Sequence, residues 1–413
     1  MAAESWKKQT YWSLPVYTGD VSGVCSALYE LGGMVVMHDP SGCNSTYNTH
    51  DEIRWISRES LIFISGLTQL DAICGNDRKL IDDIVQAAEQ FHPEFIAIAN
   101  SPVPWLIGTD FSAICSKISS VTGIPAFRVE TNAMHDYTYG AGHAFLELAR
   151  ELFAEEDAAA HNDSGASEEE DSWKSHTETY HGTDKAHADV RRRLRLNVLG
   201  MTPLDFTAPD ESARLRRLLE SAGFEVLSMW AMDDTLDNLR NALRADVNLA
   251  VSSSGIYTAR WMEEAFGIPY TAGVPIGAFA DVLFSSLVKC ASDRVSRTAY
   301  LDLPGAAERN DSVRGCIAGE CVISGSRAAD RMLSGRGSWD IVPLTETAGG
   351  LIKAGTPCPK GESEIREVLG RYDEVCADPM LKPACSKDCR FEETPHFALS
   401  GRLYLDRMGS IIG

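Results

Sequence analysis

Two cysteines stand where a thiolate could do chemistry. Cys25 lies in "GVCSALYELGG", and Cys43 closes the turn "HDPSGC" that follows the apolar run "GMVVM". Each is next to a glycine or in a turn, at the edge of an element where sulfur can face outward. Thiolates hold iron–sulfur clusters and act as nucleophiles, whereas a packed cysteine is a small hydrophobe. The residues alone leave open a disulfide, a nucleophile, two buried thiols or half of a metal site. Ser252, Ser253, Ser254 and Gly255 open a helix after the strand "VNLAV". A helix N-terminus there suits an anionic group of a substrate or cofactor, with ordinary N-capping as the alternative. Glu346, between Thr345 and Thr347, follows a strand and can face a cleft. Cys376, Cys385 and Cys389 in "VCADPMLKPACSKDC" fit a small metal site or a core. Cys316 and Cys321, flanking "IAGE", fit a core, and the role of Cys74 is open.

Other chemistry is absent from the motifs. "GTPCPKGES" places Lys360 before its glycine, so it is not a phosphate-binding P-loop, and no GxGxxG follows a first strand. "SGSRA" does not supply the GxSxG of a hydrolase. The 413 residues carry 38 basic and 59 acidic side chains, a net −21 that argues against nucleic acid or an anionic membrane as partner. The first residues, "MAAESWKKQTYWSLP", lack the apolar centre of a signal peptide, and no apolar run reaches a membrane-spanning length. A cytoplasmic location is expected, where eleven cysteines are not structural disulfides.

These residues need elements to position them. Short apolar runs alternate with helical patterns, the signature of parallel sheets with crossover helices. In "NDRKLIDDIVQAAEQFHPEFIAIANSPVP", Asn76 or Asp77 caps a helix with Leu80, Ile84, Val85, Ala88 and Phe91 inward, Pro93 stops it, and "FIAIA" is a buried strand. The same alternation recurs from "RLRLNVLGMTP" and again from "RGCIAGECVISGSRAADRML". The expected fold is α/β, with three Rossmann-like domains: 1–150 carrying Cys25 and Cys43, 191–310 in the middle, and 311–413 at the end. Between the first two, 151–190 is an acidic insertion. Its segment 155–171 holds eight acids and no base, which reads as solvated and mobile, and its histidines His161, His176, His181 and His187 read as exposed linker residues.

The run from "GVCSALYELGGMVVMHDPSGCNSTY" through "SGLTQLDAICGNDRKLIDDI" to "NSPVPWLIGTDFSAI" resembles the nitrogenase component 1 family. "NLAVSSSGIYTARWMEEAFGIPY" looks like that family's middle domain, and "LTETAGGLIKAG", "ADPMLKP" and "PHFALSGRLYLDR" look like its last. The resemblance implies a [4Fe-4S] cluster at a subunit interface, held by Cys25 and Cys43 from each of two chains. The family's third cysteine falls on Ser101, which offers a hydroxyl instead. The cysteine that anchors a molybdenum–iron cofactor in nitrogenase falls within Ser252–Ser254, so such an anchor is not expected. By resemblance the chain is the catalytic subunit of a two-component reductase, with no catalytic side chain identified. Its expected partners are an ATP-dependent iron–sulfur reductase protein, a second copy or a second component 1-like chain, and a small-molecule substrate in the interdomain cleft. A scaffold for cofactor assembly and a non-catalytic ligand-binding protein of similar architecture are the alternatives.

Overall fold

A computed structural model describes residues 18–40, 52, 54, 58, 60–163, 193–303 and 313–412. Cys43 and the histidines of the acidic stretch, apart from His161 in a helix, lie outside these residues. The described strands fall into three sheets, and every pairing between strands is parallel. The first contains β1 (Met34–His38), β2 (Leu61–Ile64), β3 (Ile96–Asn100) and β4 (Ala126–Val129), in the order β2-β1-β3-β4. The second contains β5 (Leu194–Met201), β6 (Phe224–Ala231), β7 (Val247–Ala250), β8 (Tyr270–Ala272) and β9 (Arg297–Thr298), in the order β6-β5-β7-β8-β9. The third contains β10 (Gly315–Gly319), β11 (Asp340–Pro343), β12 (Glu374–Ala377) and β13 (Arg390–Glu393), in the order β11-β10-β12-β13.

Alternation of side chains builds two cores on the first sheet. Met34 and Val36 of β1, with Ile96 and Ile98 of β3, meet the helices Asp77–Phe91 and Phe111–Thr122. Val35, Met37, Ala97 and Ala99 point the other way, toward the helices Asp20–Leu28 and Tyr137–Leu152. Those two helices touch backbone to backbone. A methyl group on Gly140 would stand 1.9 Å from the carbonyl oxygen of Asp20, and one on Gly23 would stand 2.3 Å from that of Tyr137. Only glycine permits this approach.

The helix Asp77–Phe91 buries Leu80, Ile84 and Ala88, but Phe91 in its last turn is 42 % exposed. It ends one residue before Pro93, where His92 takes a left-handed conformation. The acidic stretch begins in a helix, Ala154–Asp163, which overlaps the segment expected to be irregular. The first core runs on without a break into Trp230, Ala259, Trp261 and Met262 of the second unit. A further core joins the second unit to Cys321, Val322 and Ile323 of the third. The three sheets are thus welded by shared apolar surface.

Candidate functional site at the carboxyl ends of the sheets

In each sheet the first strand sits inside, and the chain passes to one side of it and then to the other. The crossover direction reverses between β1 and β3, between β5 and β7, and between β10 and β12. Carboxyl ends diverge at such a reversal and leave a crevice. Ser101 lies at the first of these places and Ser252–Ser254 at the second, whereas Cys25 lies within the helix Asp20–Leu28, Glu346 follows β11, and Cys43 is outside the described residues.

At the first reversal, Ser101 follows β3 directly and is 1 % exposed. Its Oγ donates to the carbonyl oxygen of His38 at 2.9 Å, while Thr131 Oγ1 donates to that of Asn100 at 2.6 Å. Hydroxyls therefore satisfy the two strand-end carbonyls beside the turn that leads to Cys43. The His38 ring bonds through Nδ1 to Ser65 Oγ at 2.8 Å and stands edge-on to Phe111. Burial pushes its pKa down to about 4, with Asp77 and Asp71 opposing, so the ring is neutral near pH 7. Cys25 lies in the helix Asp20–Leu28, wholly enclosed, and burial raises its thiol well above the ordinary range. That helix is pinned at the carboxyl edge by Asp20, which accepts from the backbone N–H of Asn132 and Ala133 at 3.0 Å. One turn on, Ser26 Oγ donates to Glu52 at 2.8 Å.

At the second reversal, Ser252, Ser253 and Ser254 are all buried. Ser252 Oγ donates to the Gly200 carbonyl at 2.7 Å. Glu320 Oε1 accepts from Ser253 N–H at 2.9 Å and from its hydroxyl at 2.5 Å. The anion that meets this helix start is therefore the chain's own Glu320. Its second oxygen caps the helix Cys321–Leu333 through Ile323 N–H. Burial raises the Glu320 pKa, and Asp205 adds to that rise. Ser254 Oγ is buried without a hydrogen-bond partner.

Glu346 sits where the first and third units meet. Its carboxylate reaches His135 Nδ1 at 3.0 Å, and its backbone carbonyl accepts from Thr138. Burial raises its pKa and the His135 hydrogen bond opposes this. His135 begins a ladder: its ring stacks on Tyr139 at 3.9 Å, Tyr139 on His143 at 3.9 Å, and His143 lies 4.6 Å from Tyr257 of the second unit. His143 Nδ1 faces the Tyr139 carbonyl at 2.9 Å, so Nδ1 carries hydrogen. In the neutral ring, favoured because burial lowers the pKa of His143, Nε2 is the basic nitrogen. Nearby, Asp205 of the second unit accepts from Tyr137 of the first at 2.5 Å and meets His396 of the third at 3.1 Å.

Glu320, Asp205 and the His135–Tyr139–His143 ladder were missed from the sequence. Only the ladder left a local signal, three rings spaced four apart, the first just before the helix Tyr137–Leu152 that carries the other two. Cys376, Cys385 and Cys389 do not converge. Cys376 packs with Ile317 and Ala328 on one face of the third sheet, while Cys385 and Cys389 join Cys316 on the other. Among the described residues no group of three or more His, Cys, Asp or Glu is arranged to hold a metal ion. Cys316 and Cys321 are buried, as expected, and Cys74 is exposed. No described helix is long and apolar enough to cross a membrane.

The family model described as nitrogenase component 1 type oxidoreductase matches residues 23–299. The chain belongs to that family. It is 26 % identical over 270 residues to the nitrogenase molybdenum-iron protein alpha chain of Clostridium pasteurianum, covering 62 % of this chain and 44 % of that one. It is 27 % identical over 201 residues to a subunit of the light-independent protochlorophyllide reductase of Prochlorococcus marinus (strain MIT 9303), covering 47 % and 33 %. The nitrogenase iron-molybdenum cofactor biosynthesis protein NifE of Methanosarcina barkeri is 24 % identical over 238 residues, covering 57 % and 46 %. The matches thus span less than half the length of these relatives. Among solved structures, "Nitrogenase Cp1 at pH 6.5" superimposes with a TM-score of 0.54 at 17 % identity, over 96 % of this chain and 72 % of the other. That likeness concerns the fold, and the three parallel sheets of this component 1-type chain agree with it.

Proposed function

We propose that this component 1-type chain is the catalytic subunit of a nitrogenase-like reductase, receiving electrons from an ATP-dependent iron–sulfur protein through a [4Fe-4S] cluster shared across a subunit interface. Cys25 and Cys43 of each chain would hold that cluster, with Ser101 beside them. The observation that carries this reading is the bond from Ser101 Oγ to the His38 carbonyl. It holds Ser101, which by the sequence resemblance stands at a family cysteine position, against the end of β1, the strand that precedes Cys43 in the chain.

The chemistry of Cys25 supports such a group. A buried Cys25 thiol is a poor nucleophile, because desolvation keeps it protonated. Iron in place of the proton removes that cost, since a cluster spreads the thiolate charge over its metals and sulfides. When bound, the cluster supplies one-electron reduction. The chain's residues would position and seal it: the His38 ring is neutral, and the hydroxyls of Ser101 and Thr131 satisfy the strand-end carbonyls. The surface next to Ser101 suits a subunit interface. The touching helices Gln69–Cys74 and Pro102–Ile107 expose Ile73 by 82 % and Leu106 by 73 %, with Leu70 and Trp105 beside them. A small-molecule substrate would enter between the units, where Glu346, His135 and His143 present titratable groups and Ser252–Ser254 line the junction. An assembly-scaffold role is the second reading, favoured by the match to NifE.

Anaerobic reconstitution with iron and sulfide tests the proposal. Wild-type protein should bind about four irons and four sulfides per dimer. Cys25→Ala and Cys43→Ala should each lose most of them, while Cys316→Ala keeps them and Ser101→Ala falls between. Wild-type iron content in both ligand variants would refute the cluster assignment. Turnover with a reductase protein then separates enzyme from scaffold.

A further inference from the structure

The third sheet has a crevice of its own that the reading above does not use. It opens at the reversal between β10 and β12 and is lined by Gly319, Ser324, Arg327, Asp378, Thr394 and His396. Most polar groups in a protein interior are partnered. Here three are not. The Arg327 guanidinium makes no hydrogen bond or ion pair among the described residues, whereas Arg331, one turn on, is held by Glu392 at 2.6 Å. The Ser324 hydroxyl has no partner among the described residues. His396 is tied through Nε2 to Asp205, but its Nδ1 is buried with none.

The two carboxylates that line the crevice, Asp378 and Glu320, already have their donors, while Glu211, whose charge acts on Arg327, keeps Oε2 buried with none. Asp378 accepts from Met380 N–H, His396 N–H and Ser400 Oγ. Glu320 is held by Ser253 and Ile323. What remains open to a ligand is a forked cation, a hydroxyl and a ring nitrogen. We infer that this crevice binds a compact oxyanion, a phosphate or carboxylate group, gripped by the Arg327 guanidinium with Ser324 and His396 Nδ1 beside it. A guanidinium fork matches two oxygens of either group. Burial pushes the Arg327 pKa down, as for a cation whose neighbours do not offset its charge. A hydrogen phosphate also brings its own O–H, which Nδ1 can accept, and a carboxylate instead requires Nδ1 to carry hydrogen. The proposal does not depend on the cluster and can fail without it.

The test uses the full chain and two probes, inorganic phosphate and succinate. Phenylglyoxal labelling read by peptide mass spectrometry should modify Arg327 in free protein and spare it in the presence of a bound probe. Exposed Arg336 should react equally in both. Calorimetry should give saturable binding that Arg327→Met weakens about tenfold or more, with Arg327→Lys between, as expected for loss of a charge-assisted fork. Response to phosphate alone assigns a phosphate group, response to succinate alone a carboxylate, and response to both the shared oxyanion chemistry. Unchanged Arg327 labelling with both probes, or equal protection of Arg336, overturns the inference, as does wild-type affinity in Arg327→Met. If that variant does not fold, labelling of the wild-type chain decides.

Discussion

Raising the pH from 5 to 8 should weaken the fold through one carboxyl group, Glu52. Its side chain is enclosed and accepts from Ser26 Oγ at 2.8 Å and from Arg54 N–H at 3.3 Å. Burial pushes its pKa up from 4.5 to about 7, against the lowering effect of those hydrogen bonds. The folded state thus holds a proton that the unfolded chain releases. A group raised in this way contributes stability that is full below the unfolded value and is lost as pH climbs through the folded one. At about 1.4 kcal/mol per pH unit, the displacement corresponds to a loss of about 3 kcal/mol across the window from 4.5 to 7. Urea unfolding at pH 5 and pH 8 reads this directly. Other buried carboxyls titrate too, so the comparison is with Glu52→Gln, which keeps the shape and one acceptor oxygen but cannot ionise. Wild type should lose about 3 kcal/mol more than the variant over that range. Parallel pH profiles for the two proteins would show that Glu52 is solvated or already paired, and would refute the reasoning.

Two further outcomes follow from the first unit. Gly140→Ala drives a methyl group to 1.9 Å from the Asp20 carbonyl, so the helices must part, and urea unfolding should show a loss of about 3 kcal/mol despite alanine's better helix propensity. Gly409→Ala, with nothing within 4 Å, is the neutral control. His38 gives acid sensitivity of the opposite sign to Glu52. Its lowered pKa, about 4, means that stability present above 6.5 is lost as pH falls toward 4, and His38→Gln should flatten that limb of the urea-unfolding profile.

Local pattern by itself determined the elements. The helix Ile256–Phe266 was readable from its apolar spacing and from Gly267, which takes the left-handed φ of 64° that closes it. The strands β3, β7, β10 and β12 were readable as short apolar runs, and their alternation with helices specified parallel sheets. The order of the motifs around Cys25, "HDPSGC" and Ser101 carried the family. Each such helix or strand signal lives within about twenty residues, the range over which side-chain periodicity and caps act. The pairing of ends was not written at that range. Ser253 meets Glu320 across 67 residues and His135 meets Glu346 across 211. Cys376 and Cys385 lie close in sequence, yet the sheet separates them. Strand order and the shared cores between units bring the carboxyl edges together, and only that packing decided which acid lies at which helix start. Burial, which sets the protonation of His38, Cys25 and Glu52, is likewise a property of the assembled layers, because desolvation depends on what covers a side chain and not on its neighbours in the chain.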